Sequence, residues 1–244
     1  MSLGRILASA LIAGSLQLLS IGPAAADVPK GAYLGADAGG SWTSNLTYVS
    51  TYNNCGIYPY YYCGYSAYNA VTYNIGYAAG VQIGYAFGGP RLEFEVGYRN
   101  NPANTIATPD GTQSANGDLN AKDYMINVLY DFDTGTKWVP YIGLGLGAAT
   151  IQANNITNST AVPRGAFLNG TSTDFAAQFI FGVEFLATDK LGVFLDWRGL
   201  WANNATFNYG YGCTNSNNSA CAQTGATTYS YWNGALNLGL HWHF

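Results

Sequence analysis

From Ile75 to Phe87 the chain alternates without a break between two kinds of residue. One parity reads Ile75, Tyr77, Ala79, Val81, Ile83, Tyr85 and Phe87; the other reads Gly76, Ala78, Gly80, Gln82, Gly84 and Ala86. Successive side chains of an extended chain point to opposite sides, so a period of two gives a strand with two unlike faces. The next segment repeats the device with charge. Leu92, Phe94, Val96 and Tyr98 share one face, while Arg91, Glu93, Glu95, Gly97 and Arg99 share the other. These apolar faces run past the usual strand of about 5 or 6 residues and suit an oblique crossing of a bilayer, which takes about 9 to 11.

The same alternation marks 31–42, 123–132, 138–149, 175–185, 191–202 and 230–244, which makes eight candidate strands. Their connections differ sharply in length. Long segments cover about 43–72, some 20 residues from Asn100, 151–173 and 203–229; short turns are Gly88-Gly89-Pro90, 133–137 and 187–190. Long and short connections in strict turn imply an all-β fold: an eight-stranded antiparallel transmembrane β-barrel with short periplasmic turns, long extracellular loops and both termini periplasmic. A lipid-facing wall also accounts for the scarcity of charge, since Asp, Glu, Lys and Arg make up only 9% of the chain against about 25% in soluble domains.

Residues 1–26 read as an export signal: Arg5, an apolar stretch from Ile6 to Ile21, then Pro23 and Ala24-Ala25-Ala26 before the cleavage point. The barrel domain is then 27–244, with its strands from about 31. No later stretch reaches 18 consecutive apolar residues, which excludes a helical membrane protein. A formal charge of -4 and the lack of a basic cluster exclude nonspecific nucleic-acid binding.

The hairpin strand PRLEFEVGYR, the strand VPYIGLGLGAA after a short turn and the ending NGALNLGLHWHF resemble the outer membrane protein A-like and bacterial surface-antigen superfamily of eight-stranded barrels. The resemblance implies outer membrane localisation, lipid and lipopolysaccharide as surroundings, and a terminal strand read by the barrel assembly machinery. Here the matching positions are Leu238, Leu240, Trp242 and Phe244, alternating on one face. No peptidoglycan-binding domain follows them, so the cell-wall tether of larger members is not expected.

Alternation assigns Asp37, Arg91, Glu93, Glu95, Arg99, Asp123, Asp131, Glu184, Asp196 and Arg198 to the barrel lumen. Three arginines face seven carboxylates. Buried charges need partners, so a salt-bridged closed core is expected; the alternative is a small acid-lined conduit that prefers cations. The two histidines, His241 and His243, fall on one inward face of the last strand. They are too few for a zinc site, which wants three or four ligands, and stand at the wrong end for an enzyme working at the external rim. They read as polar lumen fillers, with no catalytic residue, cofactor or metal expected.

Cys55 and Cys63 lie in the first long loop, Cys213 and Cys221 in the fourth. An exported loop meets an oxidising compartment; two local bridges are the simplest pairing, and a cross-link between the loops is the alternative. The first loop also carries Tyr58, Tyr60, Tyr61, Tyr62 and Tyr65 with almost no charge. Tyrosine supplies rigid, amphipathic contact area at low entropic cost. The tyrosines either pack with the fourth loop as a lid, rest at the lipid interface, or present a surface to an external host, phage or glycan ligand. On these grounds the leading expectation is a non-enzymatic structural surface protein that supports the envelope and displays loops. A small cation-preferring porin and an adhesin are the alternatives.

Overall fold

The computed structural model describes residues 28–52, 65–108, 111–158, 164–213 and 223–244. The segment read as an export signal lies outside them. The described chain forms ten strands: β1 (Lys30–Thr43), β2 (Leu46–Tyr52), β3 (Tyr65–Tyr73), β4 (Gly76–Phe87), β5 (Pro90–Thr108), β6 (Gly111–Asp131), β7 (Trp138–Asn158), β8 (Arg164–Leu186), β9 (Leu191–Cys213) and β10 (Gln223–His243). All pairings are antiparallel. The ladder runs β1-β4-β5-β6-β7-β8-β9-β10 and returns from β10 to β1, which closes the sheet into a barrel.

The expected count of eight strands is therefore corrected to ten. The first long connection is not a loop throughout, because β2 and β3 lie within it. They pair with each other, and β3 then pairs with β5 from Tyr73↔Ala103 to Ala70↔Ala107. Between Thr43 and Leu46, and again between Tyr73 and Gly76, the ladder is interrupted, so the wall beside β5 passes from β4 to β3. Asn74 N–H still donates to the Pro102 carbonyl at 2.8 Å across that interruption. The other three long connections are likewise mostly strand. β5 runs on to Thr108 and β6 begins at Gly111, while β7, β8, β9 and β10 each have 21 to 23 residues.

One end of the barrel holds Lys30, Phe244 and the short turns; we call it the turn end and its opposite the far end. In the turn between β4 and β5, Gly88 and Gly89 have φ of 83° and 136°, a backbone that side chains other than glycine rarely adopt. Outward residues near the turn end are aromatic and exposed, among them Tyr85, Phe87, Tyr130, Phe132, Trp138, Trp242 and Phe244. Above them the outward face is aliphatic, with Val81, Ile83, Leu92, Ile126, Val128, Leu144 and Leu238 exposed. A second group of exposed aromatics, Trp42, Tyr77 and Trp232, follows. From Phe87 to Tyr77, at about 3.3 Å per residue and a tilt near 40°, is about 25 Å, the height of an outer membrane apolar band.

Among the described residues the register shifts lie at or beyond the upper aromatics: Thr72/Tyr73, Pro102/Thr105, Asn116/Asp118, Ala153/Ile156, Asn169/Ala176 and Tyr229/Tyr231. A bulge leaves ladder groups unpaired. Water can satisfy them and hydrocarbon cannot, so the belt keeps an unbroken ladder and the irregularities collect outside it.

Candidate functional site

Inside the ring the side chains form layers. Nearest the turn end, Arg91 of β5 bonds Asp131 of β6 at 3.0 Å and Glu184 of β8 at 3.2 Å. Its guanidinium lies over the Tyr141 ring, 4.6 Å from the centroid. In the middle layer Arg198 of β9 contacts Glu95 at 2.5 Å, Glu93 at 3.7 Å and Asp196 at 2.9 Å. Asn127 donates to Glu93 at 2.9 Å and to Glu95 at 2.7 Å, Gln178 donates to Glu95 at 2.7 Å, and Tyr33 donates to Glu93 at 2.8 Å. Higher still, Arg99 meets Asp123 at 3.5 Å, Gln178 at 2.9 Å and Asn233 at 3.0 Å.

Nine of the ten residues assigned to the lumen, Arg91, Glu93, Glu95, Arg99, Asp123, Asp131, Glu184, Asp196 and Arg198, are buried here. Asp37, half-buried, accepts a hydrogen bond from Gln82. The reason lies in the closure of the ring. β5 and β9 face each other across it, separated by β6, β7 and β8 on one side and by β10, β1 and β4 on the other. Inward side chains of β5 and β9 therefore meet, as do those of β5 and β8.

The narrow interior also explains two inward glycines. Gly84 sits opposite Tyr33 in the β1–β4 ladder and Gly239 opposite Phe194 in the β9–β10 ladder. Each aromatic ring lies over the bare glycine, and a Cβ there would collide with it.

Beyond the arginine layers the lumen becomes apolar. Leu119, Met125, Ile151, Leu200, Phe207 and Tyr231 are buried in one cluster with Leu46 and Tyr48 of β2 and Val71 of β3. The interruption-bearing segment thus adds side chains to this filling. Tyr48 and Tyr209 approach with ring centroids 5.2 Å apart, and Tyr229 donates to the Ser44 carbonyl at 2.8 Å. These contacts join β2 and the turn before it to the upper parts of β9 and β10.

His241 and His243 lie at the turn end, on the inward face of β10. Glu184, which sequence reasoning placed only as one more lumen carboxylate, stands between them. The signal that could have joined the three is a register through two ladders, Glu184↔Phe194 and Phe194↔Gly239. Leu238, Leu240, Trp242 and Phe244 occupy the opposite, exposed face of the same strand. The Phe244 N–H donates to the Ala32 carbonyl at 3.0 Å. Of the proposed recognition tyrosines, Tyr58, Tyr60, Tyr61 and Tyr62 lie outside the described residues, and Tyr65 opens β3. Cys55, Cys63 and Cys221 also lie outside them, whereas the backbone of Cys213 ends β9 opposite Arg164.

A closed antiparallel ring with an aliphatic belt, aromatic borders and a polar, charge-paired interior defines an outer membrane β-barrel. The chain belongs to the outer membrane protein beta-barrel domain family, whose pattern matches residues 11–244. It is related at that level to the outer membrane protein A-like and surface-antigen barrels. The narrower assignment to their eight-stranded members does not hold for this ten-stranded sheet.

The outer membrane protein PagN of Salmonella typhimurium is 31% identical over 68 residues, a match spanning 28% of each chain. Among solved structures, OprG of Pseudomonas aeruginosa is similar with a TM-score of 0.55 at 13% identity, covering 88% of this chain and 98% of its own. Neisserial surface protein A gives 0.52 at 15%, covering 87% and 97%. At such identities the structural likeness concerns the fold.

Proposed function

We propose that the chain is a surface-recognition protein of the outer membrane, in which a sealed barrel holds a projecting β-wall for contact with an external partner. The observation that carries this reading is the filling of the lumen. Three arginine-centred layers and then an apolar cluster occupy its length, an arrangement suited to rigidity and poorly suited to passage of ions. A conduit that prefers cations needs a continuous, hydrated, acid-lined path, and the apolar cluster around Leu200, Phe207 and Tyr231 supports a sealed lumen instead.

The second support is length. A tilted strand crosses the bilayer in about 9 to 11 residues, whereas β8 and β9 each have 23. About half of each strand stands beyond the belt. A role limited to envelope support needs the belt and the network alone; the projecting wall goes further. In this reading the turn end faces the periplasm and the assembly machinery reads the β10 terminus. β2 ends and β3 begins at the far end, so the tyrosine-rich sequence between them leaves and re-enters the wall on the outside.

Two measurements test the proposal. Refolded protein in planar bilayers should show no stepwise conductance, and reproducible cation-selective steps would overturn the sealed lumen. Cells displaying the protein should be retained on glycan arrays or host-cell monolayers. Retention should fall when Tyr58, Tyr60, Tyr61, Tyr62 and Tyr65 are all changed to Ser; equal retention of cells with and without the protein would overturn the recognition role.

A further inference from the structure

At the turn end one lumen cluster has ligand atoms in place and incomplete hydrogen bonding. Glu184 Oε2 is 3.1 Å from His241 Nδ1, and Glu184 Oε1 is 3.0 Å from His243 Nε2. All three residues are buried, and one donor atom from each lies within 4.8 Å of the others. The imidazoles are held in position. His241 stacks on Phe194 with centroids 4.2 Å apart, Tyr33 stands edge-on to it at 4.9 Å, and His243 lies 5.6 Å from the same tyrosine ring. The other two ring nitrogens, His241 Nε2 and His243 Nδ1, have no hydrogen-bond partner among the described residues. Buried polar atoms in native proteins are nearly always satisfied. His241, only 1% exposed, has the Glu184 carboxylate as its one polar contact, and a buried carboxylate facing two imidazoles is a donor set that a cation can share.

We propose that Glu184, His241 and His243 bind one divalent transition-metal ion of the zinc class. Bonds of about 2.0 to 2.1 Å arranged tetrahedrally place ligand atoms about 3.3 Å apart; the two imidazoles stand 3.1 and 3.0 Å from different oxygens of the one carboxylate, and with one ligand atom from each residue the three lie within 4.8 Å, so coordination draws the more widely spaced atoms closer together. Two imidazoles and one carboxylate suit zinc, copper or nickel; calcium and magnesium take oxygen-rich sets. Three protein ligands leave a fourth position for water.

The neighbouring cation does not forbid the ion. Arg91 touches Glu184 at 3.2 Å, but Asp131 holds it at 3.0 Å on its other side. Seven carboxylates against three arginines leave the lumen rich in negative charge. The ligands come from β8 and β10 with β9 between them, so a bound ion ties β8 to β10 across β9 at the turn end.

The test uses the full barrel chain, refolded in detergent, stripped with a chelator and with its cysteines alkylated. Titration with Zn2+ by calorimetry should give one ion per chain, and Co2+ should give the intense visible bands of a four-coordinate site. The double variant His241→Gln/His243→Gln should lose both signals while keeping its heat-modifiable migration. Because a lumen variant can fail to fold, the wild-type chain with one equivalent of Cu2+ supplies an independent reading, and its electron paramagnetic resonance should show coupling to two imidazole nitrogens. Absence of stoichiometric Zn2+ binding, a Cu2+ spectrum without imidazole coupling, or unchanged binding by the folded double variant would each overturn the proposal.

Discussion

Arg198 of β9 reaches across the lumen to Glu95 of β5, with Nη1 2.5 Å from Oε2. Neither residue is a ladder neighbour of the other, and both are almost fully buried. The contact is one branch of a shared arrangement, since Arg198 also bonds Asp196 and approaches Glu93. Removing the cation leaves three buried carboxylates without it, whereas removing one carboxylate's charge leaves the cation with two others.

Arg198→Ala should therefore be the more damaging change, costing about 3 to 5 kcal/mol, the usual result of breaking a buried ion pair from one side. Glu95→Gln keeps a side chain able to bond within the network and should cost clearly less. Urea unfolding in lipid vesicles measures both, and equal losses would contradict the shared arrangement.

Depth in the membrane sets the second expectation. Phe94 is exposed within the aliphatic belt, and Val49 of β2 is exposed beyond the upper aromatics. Arginine at Phe94 should cost about 2 to 4 kcal/mol, as a charge near the bilayer midplane does, while arginine at Val49 should cost about 0 to 1. Similar costs at the two sites would show that the belt has been placed wrongly.

Gly239→Ala places a methyl group against the Phe194 ring and the Ala36 carbonyl oxygen, and overpacking of a filled interior costs about 1 to 3 kcal/mol. Shrinking the ring with Phe194→Leu in the same chain should recover part of that loss. A double-mutant cycle in vesicles measures the coupling, and strictly additive losses would remove the Phe194 ring from the explanation.

Much of this wall can be read in the chain, because lipid imposes a simple rule on every second residue. The rule lapses where lipid ends. From Asn100 to Thr108 the outward positions include Pro102 and Asn104, so strand continues there with no apolar alternation to announce it. The interruptions near Ser44 and Asn74 leave no stronger mark, so alternation alone counts eight strands where the ladder has ten. The inward charges of 91–99 could be recognised as a group from their parity alone. Their partners could not, since Arg198 with Glu95, or Glu184 with the two histidines, depends on ladders set by residues far apart in the chain.

At the end of β10, Phe244 is 68% exposed on the outward face. Phe244→Ala, or a short polar tail after it, should lower the amount of heat-modifiable protein in the outer membrane while exported chain still accumulates. Wild-type levels would remove the assembly role of this residue.

Because β5 and β9 lie on opposite sides of the ring, their charges find each other only when the circle is complete. A partly zipped sheet has to keep Arg198, Glu93 and Glu95 hydrated, and a barrel closed in a slipped register buries them without counterparts. The seam between β1 and β10 thereby acquires a form of proofreading. Wrong closures are rejected by the electrostatic cost of sealing mismatched charge in a dry interior, and the correct one gains a cross-brace that ladder hydrogen bonds alone do not supply.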